Sequence, residues 1–361
     1  MNAPPPGELR AGLIGYGTAG RYFHAPLLAS VDGIGVSAVV TSDAGRAAQA
    51  VEELGPQLRV FGTADELLAR TEELDLVVIA SPNRTHVPLA RRALEAGLPV
   101  VVDKPLAPTA REAVALGELA EGKGLLLSAF QNRRWDNDFR TLAALLERGA
   151  LGDVHRFESR FERWRPQPKG GWRESGDPEE FGGLLYDLGS HLVDQALVLF
   201  GPVAAVYAEV DTRRAGAGAD DDVFLALTHA SGVRSHLWAS STAAQHGARF
   251  RASGSAAAYV KYGLDPQEAA LRAGARPAPD MPWGVEPDPA WGVLGTVDEA
   301  HPVPSLDGDY PAYYRGIVRS LREGAPPPVT AWDAAATLEV LQAARTSAAN
   351  GCRVLIGEAR G

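Results

Sequence analysis

A single cysteine, Cys352, leaves the chain unable to form an internal disulfide, which fits a reducing compartment. No apolar run approaches the ~18–20 residues that a membrane-spanning helix needs, so no span is expected. The leading stretch MNAPPPGELR has no apolar core and no cleavage site, so no signal peptide is expected and the protein reads as cytoplasmic. Basic residues are outnumbered. The 35 Lys and Arg against 45 Asp and Glu give a formal net charge of −10, which argues against a nucleic-acid partner because phosphate binding needs a basic face. Metal signatures are missing too: no H-E-x-x-H, no C-x-x-C and no paired His or Cys spacing, with the 8 histidines scattered. There is no G-x-S-x-G nucleophile elbow, and Cys352 near the end of the chain is a poor nucleophile. Hydride transfer without a metal is the economical chemistry left.

What is present is enough for two domains: 361 residues, 45% hydrophobic and 22% charged, ordinary for a globular protein. The chain is organised around LRAGLIGYGTAGRYFHAPLL, residues 9–28. An apolar run enters Gly15-Tyr16-Gly17-Thr18-Ala19-Gly20, a G-x-G-x-x-G turn between a strand and a helix. In such a turn Gly15 permits the tight bend, Gly17 lets the backbone approach a pyrophosphate, and Gly20 lets helix and strand pack closely. The free N–H groups of the following helix face the phosphates. A structural glycine-rich turn is the alternative, since the chain has 39 glycines.

Residues 9–130 alternate between strand and helix. Strands are expected at Arg10–Gly15, Gly35–Thr41, Arg59–Gly62, Leu76–Ser81, Val100–Asp103 and Leu125–Phe130, with helices at Asp43–Leu54, Ala64–Arg70, Thr85–Ala96 and Thr109–Glu121. This order predicts a doubly wound parallel sheet, with Pro26 forcing a break or kink near Ala25. After Phe130 the pattern changes. A helix is expected over Asn132–Arg148. Strands with period-two alternation follow at Val154–Trp164, Val203–Asp211, Val223–His229, Val233–Ser240, Ala248–Ser253 and Ala256–Tyr262. They suggest one large, mostly antiparallel open sheet with helices on one face. The stretch AGAGADDD, 215–222, reads as a solvated loop, and 265–311 as a folded arm or a mobile lid. Two helices, near Ala312–Glu323 and Ala331–Asn350, close the chain. The fold class is thus α/β: an N-terminal Rossmann sheet over 1–130 and an α+β domain over 131–361, its last helix packing back on the first domain.

Three further stretches carry chemistry. Val100–Pro105 ends a strand in Asp103-Lys104, and a lysine at the C-terminal edge of a parallel strand points into the ligand crevice; a solvated loop lysine is the alternative. Residues 182–195 read as one helix through Leu199, on which Asp187 and His191 share a face and Asp194 lies one turn on. A carboxylate beside an imidazole raises its pKa and suits a general base; a capping Asp with a core His is the alternative. Ser81-Pro82-Asn83-Arg84-Thr85-His86 follows a strand at the expected switch point, where Asn83 and Thr85 either cap the next helix or also touch a cofactor.

Taken in order, the glycine turn, S-P-N-x-x-H at 81–86, Asp103-Lys104-Pro105 and the Gly-Gly…Asp187…His191 helix resemble the Gfo/Idh/MocA oxidoreductases over essentially the whole chain. GYGTAGRYFHAPLL, QNRRWDNDF, LLYDLGSHLVDQAL and YGLDPQEAAL resemble the scyllo-inositol dehydrogenase-like branch. Asp103 departs from the family's usual Glu; the shorter acid keeps the charge but changes its reach, so no firm role carries over to it. The resemblance implies that Lys104, Asp187 and His191 are catalytic. A substrate hydroxyl would lie between Lys104 and His191, His191 would take its proton, Lys104 would steady the alkoxide, Asp187 would orient the substrate or the ring, and hydride would pass to the nicotinamide.

Cofactor contacts are expected from Gly15, Tyr16, Gly17, Thr18, Ala19, Gly20, Thr41, Ser42, Arg46, Ser81, Pro82, Asn83, His86, Asp103 and Lys104. Substrate contacts are expected from Arg133, Trp135, Asp136, Trp164 and Trp172, for which ordinary packing is the competing reading. By family alignment Thr41 holds the place of the acid that would accept from the NAD ribose, so the hydroxyls of Thr41 and Ser42 with Arg46 favour NADP over NAD. Asp43 is the competing feature, since a small loop shift could bring it to the ribose. The substrate expected is a polyol or sugar, and the family implies a homodimer or homotetramer through the C-terminal sheet. A nucleotide-sensing regulatory protein without catalysis is the alternative, which the joint presence of Lys104 and His191 disfavours.

Overall fold

The computed structural model describes residues 7–177, 180–278 and 281–357, so the first six residues of the leading stretch lie outside it. Its contacts divide it into two compact units. The first takes 7–132 together with 267–283 and 309–335, and the second takes 133–266, 284–308 and the remaining C-terminal residues.

In the first unit six parallel strands run β1 (Leu9–Ile14), β2 (Ile34–Val40), β3 (Arg59–Phe61), β4 (Leu76–Ile79), β5 (Val100–Asp103) and β6 (Leu127–Phe130). Their order across the sheet is β3-β2-β1-β4-β5-β6. Strand LVVI is apolar throughout, and VVVD up to its last residue, because helices cover both faces, and Leu13, Val39, Val77, Val78, Val101 and Val102 are fully buried. The direction of winding reverses between β1 and β4, which places their C-terminal turns at the switch point.

The helices are α1 (Ala25–Ala29), α2 (Ala44–Leu54), α3 (Ala64–Leu68), α4 (His86–Glu95) and α5 (Ala110–Lys123). The break expected at Pro26 takes the form of a π turn over Gly20–His24, in which the Ala25 N–H bonds to the Gly20 carbonyl. The wider turn suits a proline that has no N–H and would crowd the carbonyl four residues back.

The second unit holds α6 (Asn137–Glu147), β7 (Val154–Glu162), α7 (Leu184–Asp187) and α8 (Gly189–Phe200). Then come β8 (Val203–Asp211), β9 (Asp222–His229), β10 (Arg234–Ser240), β11 (Phe250–Gly254) and β12 (Ala258–Lys261). A short helix, α9 (Gln267–Arg272), belongs to the first unit, as does α10 (Pro311–Glu323). Strands β13 (Gly292–Gly295), β14 (Ala300–Val303) and β15 (Val354–Leu355) complete a nine-stranded sheet, and α11 spans Ala331–Asn350. The sheet order is β14-β13-β12-β11-β7-β10-β9-β8-β15, antiparallel except for the β7–β10 pair. Strand β9 alternates strictly, with Val223, Leu225 and Leu227 inward. The inner face packs on α8, where the Phe157 and Phe200 rings lie 5.2 Å apart.

Two expectations change, and a third is settled between its alternatives. Among the described residues of 265–311 the chain is the folded arm rather than the lid and adds two strands, its Pro302 tolerated because β14 is an edge strand. The expected helix 182–199 is two helices separated at Leu188, whose φ of −105° and ψ of −34° interrupt the bonding ladder. The ladder resumes with the His191 and Leu192 N–H groups both reaching the Leu188 carbonyl. The acidic loop is solvated only in part. Asp221 is buried on the Arg213 and Arg214 N–H groups and the Arg214 guanidinium. Asp220 accepts from the Leu185 N–H at 2.7 Å, and a Cβ on Gly183 would come within 2.1 Å of its carboxylate. Among the described residues no helix is long and apolar enough to cross a membrane. Asp220→Ala is expected to remove this cap at a cost of about 1 kcal/mol, read by urea denaturation as a lower midpoint with an unchanged m-value.

Candidate functional site

The turn after β1 has little spare room. Gly15 has φ of +101°, and a Cβ there would lie 2.6 Å from the Ala80 carbonyl oxygen at the end of β4. A Cβ on Gly20 would fall 2.0 Å from the Gly15 carbonyl oxygen. At Gly17 the position is open, its nearest neighbour being Arg46 Nη1 at 3.9 Å. The first helical bond runs from the Arg21 N–H to the Gly17 carbonyl, so the N–H groups of Thr18, Ala19 and Gly20 open the helix, where such groups lack a helical partner. A diphosphate fits this turn: closed where the backbone must bend, open where it must approach.

Tyr16 turns its side chain inward, and its hydroxyl donates to Glu53, which Arg21 also pairs. Burial pushes the Tyr16 phenol above its ordinary pKa, so the side chain is a neutral brace and only its backbone lines the turn.

At the end of β2, Asp43 is the N-cap of α2, accepting the Arg46 N–H at 2.9 Å, and its own N–H donates to Thr41 Oγ1. Ser42 and Arg46 are exposed, and among the described residues no acid pairs with the Arg46 guanidinium.

The ends of β4 and β5 are joined by His86. Its Nδ1 lies 2.8 Å from the Pro105 carbonyl and its Nε2 2.9 Å from the Ser81 carbonyl, and the ring is buried. Burial lowers its pKa, against the pull of the Pro105 carbonyl and Asp103. Ser81 and Thr85 share a 2.6 Å hydroxyl bond, and Thr85 also donates to the Pro82 carbonyl, so Thr85 does not cap α4 with its side chain. Asn83 is buried beside them. Asp103 accepts the Lys104 N–H at 2.8 Å, the Lys104–Pro105 bond is cis, and Lys104 is half-buried at the C-terminal edge of β5.

In the second unit His191 is buried on α8, its ring 6.4 Å from that of Phe161. Arg133 and Arg249 also lie over Phe161, at 4.9 and 4.0 Å. Buried Arg249 donates to Asp138, Ser159 and Gln195, and Gln195 donates to the Arg133 carbonyl. Burial lowers the Arg249 pKa and raises that of Asp136. Asp136 is closed off from solvent and accepts from Arg133 at 3.3 Å. Asp187 is half-buried, with Oδ1 4.0 Å from Arg173 Nε. Asp194, one turn past His191, is held bidentate by Arg134 at 2.9 and 2.7 Å, a pairing that the expected proximity to His191 did not foresee. Trp135 is half-buried and Trp164 mostly exposed beside Thr242, while the Trp172 side chain lies outside the described residues.

Residue spacing missed Arg249 and Gln195, although Gln195 follows His191 by four and so shares its helical face. It also missed His24, which lies inside the branch-like GRYFHAPLL stretch. Among the described residues no three His, Cys, Asp or Glu side chains gather as a metal group.

A family model described as an oxidoreductase family, NAD-binding Rossmann fold, matches residues 9–131, and one for the GFO/IDH/MocA C-terminal domain matches 139–260. The oxidoreductase YdgJ of Escherichia coli K12, itself uncharacterised, is 42% identical over 339 residues, 93% of this chain and 95% of its own. The scyllo-inositol 2-dehydrogenase (NADP(+)) IolW of Bacillus subtilis 168 is 36% identical over 343 residues, 94% of this chain and 93% of its own. The solved structure of Bacillus subtilis yvaA superposes with a TM-score of 0.90 at 34% identity, covering 97% of this chain and 98% of that one.

The steric account of the turn is testable. Gly20→Ala drives a methyl group into backbone and is expected to cost about 1–3 kcal/mol of stability. It should also weaken NADPH binding at least about tenfold, read by fluorescence titration on whatever fraction folds.

Proposed function

The chain belongs to the Gfo/Idh/MocA family of NAD(P)-dependent oxidoreductases, and we propose that it moves a hydride between the nicotinamide and a hydroxyl or carbonyl carbon of a cyclitol or sugar. The observation that carries this reading is the joint presence of an amine at Lys104, on the edge of β5, and an imidazole at His191 on α8, which a nucleotide sensor without catalysis has no need to keep. The name of IolW, an NADP-dependent inositol dehydrogenase, supports the same substrate class.

Each residue then has a task. The turn Gly15–Gly20 would hold the diphosphate with backbone N–H groups, and Ser81, Pro82 and Asn83 would help to hold the nicotinamide ribose. Lys104 donates to the substrate oxygen and stabilises it as it becomes an alkoxide. His191 takes the hydroxyl proton during oxidation and returns it during reduction. Asp187 orients the substrate or the imidazole. When bound, the nicotinamide supplies the hydride acceptor. Arg133, which carries its charge over the Phe161 face, and Trp135 are assigned to the polyol hydroxyls.

NADP is the preferred cofactor in this proposal. Asp43 turns Oδ1 to the cap of α2, which ties that oxygen to the Arg46 N–H rather than to a ribose hydroxyl. The Arg46 guanidinium beside Gly17 is placed to receive a 2′-phosphate.

A panel of inositols, sugars and their keto forms, followed at 340 nm with both cofactors, tests the reading. Lys104→Ala is expected to bind NADPH normally and to lose at least about a thousandfold in kcat. Wild-type-like turnover in that variant would defeat the assignment. Arg46→Ala is expected to raise the KM for NADP about tenfold or more and to leave that for NAD within about twofold. A strong NAD preference in the unaltered protein would refute the cofactor proposal.

A further inference from the structure

One buried imidazole near Lys104 has no part in the chemistry above. His24 sits in the π turn, fully buried, with the Phe130 ring centroid 4.3 Å from its own. Its Nδ1 is 2.6 Å from the Tyr314 hydroxyl. Its Nε2 is enclosed without a hydrogen-bond partner and faces Asp103 Oδ1 at 4.0 Å.

Burial pulls the His24 pKa down to about 4, although Asp103 pulls it up, so the ring is neutral near pH 7. Burial also pushes the Tyr314 phenol well up, so Tyr314 keeps its proton. A neutral imidazole carries one N–H. If that N–H were on Nδ1, the Nε2 lone pair would point at a carboxylate. With Tyr314 donating to Nδ1, the hydrogen sits on Nε2 and faces the Asp103 charge instead. Asp103 in turn accepts the peptide N–H of Lys104.

We propose that Tyr314, His24 and Asp103 form a buried positioning line behind Lys104. The Tyr314 O–H selects the His24 tautomer, the Nε2–H restrains the Asp103 carboxylate, and that carboxylate fixes the peptide from which the Lys104 amine projects. At 4.0 Å the His24–Asp103 contact is electrostatic rather than a formed hydrogen bond. One more methylene, about 1.5 Å, would bring a carboxylate oxygen into bonding range, so Asp103→Glu is the variant that strengthens the contact. The proposal rests on the role given to Lys104 above.

The first test needs no turnover. Imidazole nitrogen NMR of the full-length protein should show His24 as the Nε2–H tautomer, with no titration from about pH 8 down to about pH 5. An Nδ1–H tautomer, or titration near the ordinary histidine value, would overturn the line even if the enzyme is active.

The second test is a double-mutant cycle with His24→Phe and Asp103→Asn. His24→Phe should lower kcat about tenfold with the NADP KM within about twofold, and Asp103→Asn should add much less loss in that background than alone. His24→Gln, whose amide can donate, should recover most of the kcat. Additive losses, or His24→Gln no better than His24→Phe, would refute it. Should His24→Phe fail to fold, Asp103→Glu takes its place: the Nε2–H proton resonance should move downfield as the contact shortens, and an unmoved resonance counts against the line. A protein with the expected tautomer that turns over no polyol would sink the substrate assignment and leave this contact standing.

Discussion

Gly20 lies against the Gly15 carbonyl with no room for a methyl group between them, and the first unit is arranged around that contact. Because the helix must start this close to β1, the bend before it needs the positive φ of Gly15, and that bend in turn presses on the Ala80 carbonyl of β4. Two glycines are therefore demanded by crowding and the third, Gly17, by the space left for a ligand. The π turn follows immediately. It admits Pro26 and also brings His24 inward to Tyr314 and Asp103. The turn assigned to the diphosphate and the support proposed behind the Lys104 amine thus share one short stretch of helix.

The second unit solves a different problem. The role proposed for His191 asks helix α8 to hold it at a fixed rotation about its own axis, and apolar packing alone constrains rotation weakly. Here directional bonds do it: Asp194 to Arg134, and Gln195 to both Arg249 and the Arg133 carbonyl. Burying Arg249 and Asp138 together costs desolvation that their attraction repays only when the remaining donors are satisfied. The guanidinium meets this condition through Ser159, Gln195 and the faces of Phe161 and Phe250. Breaking one partner would leave a buried charge, so the network acts as a unit that fixes geometry more than it adds net stability.

Much of this was legible in the residues. Most strands of the parallel sheet are short apolar runs, and burial on both faces makes such runs conspicuous; their observed ends differ from those expected by at most two residues. The alternating strands β7 to β12 were visible for the related reason that one face is wet. Strands β13, β14 and β15 were not, because two to four residues containing Gly292, Gly295 and Pro302 carry no period. Nor was the break at Leu188, since the one glycine in LLYDLGSHL, Gly189, weakens a helix without fixing that it breaks there. Pairs such as Arg134–Asp194, 60 residues apart, and His24–Tyr314, 290 apart, depend on tertiary approach that no spacing rule encodes. The S-P-N-x-x-H stretch showed a middle case: its residues stood out, but their division of labour did not.

That division of labour decides what remains for ligands. At the end of β2 the Asp43 carboxylate is turned to the helix cap, where the Arg46 N–H is a local donor at 2.9 Å. At the ends of β4 and β5 the ring nitrogens of His86 both face backbone carbonyls, so its influence on a bound nucleotide passes through the two loops it joins. Tyr16 is likewise claimed by Glu53. Polar side chains close to the turn are thus largely committed to holding backbone in place, and the exposed Arg46 is left as a cation whose charge is not already answered by an acid. The cofactor preference proposed above therefore rests on which side chains the framework consumes as much as on which ones the sequence supplies.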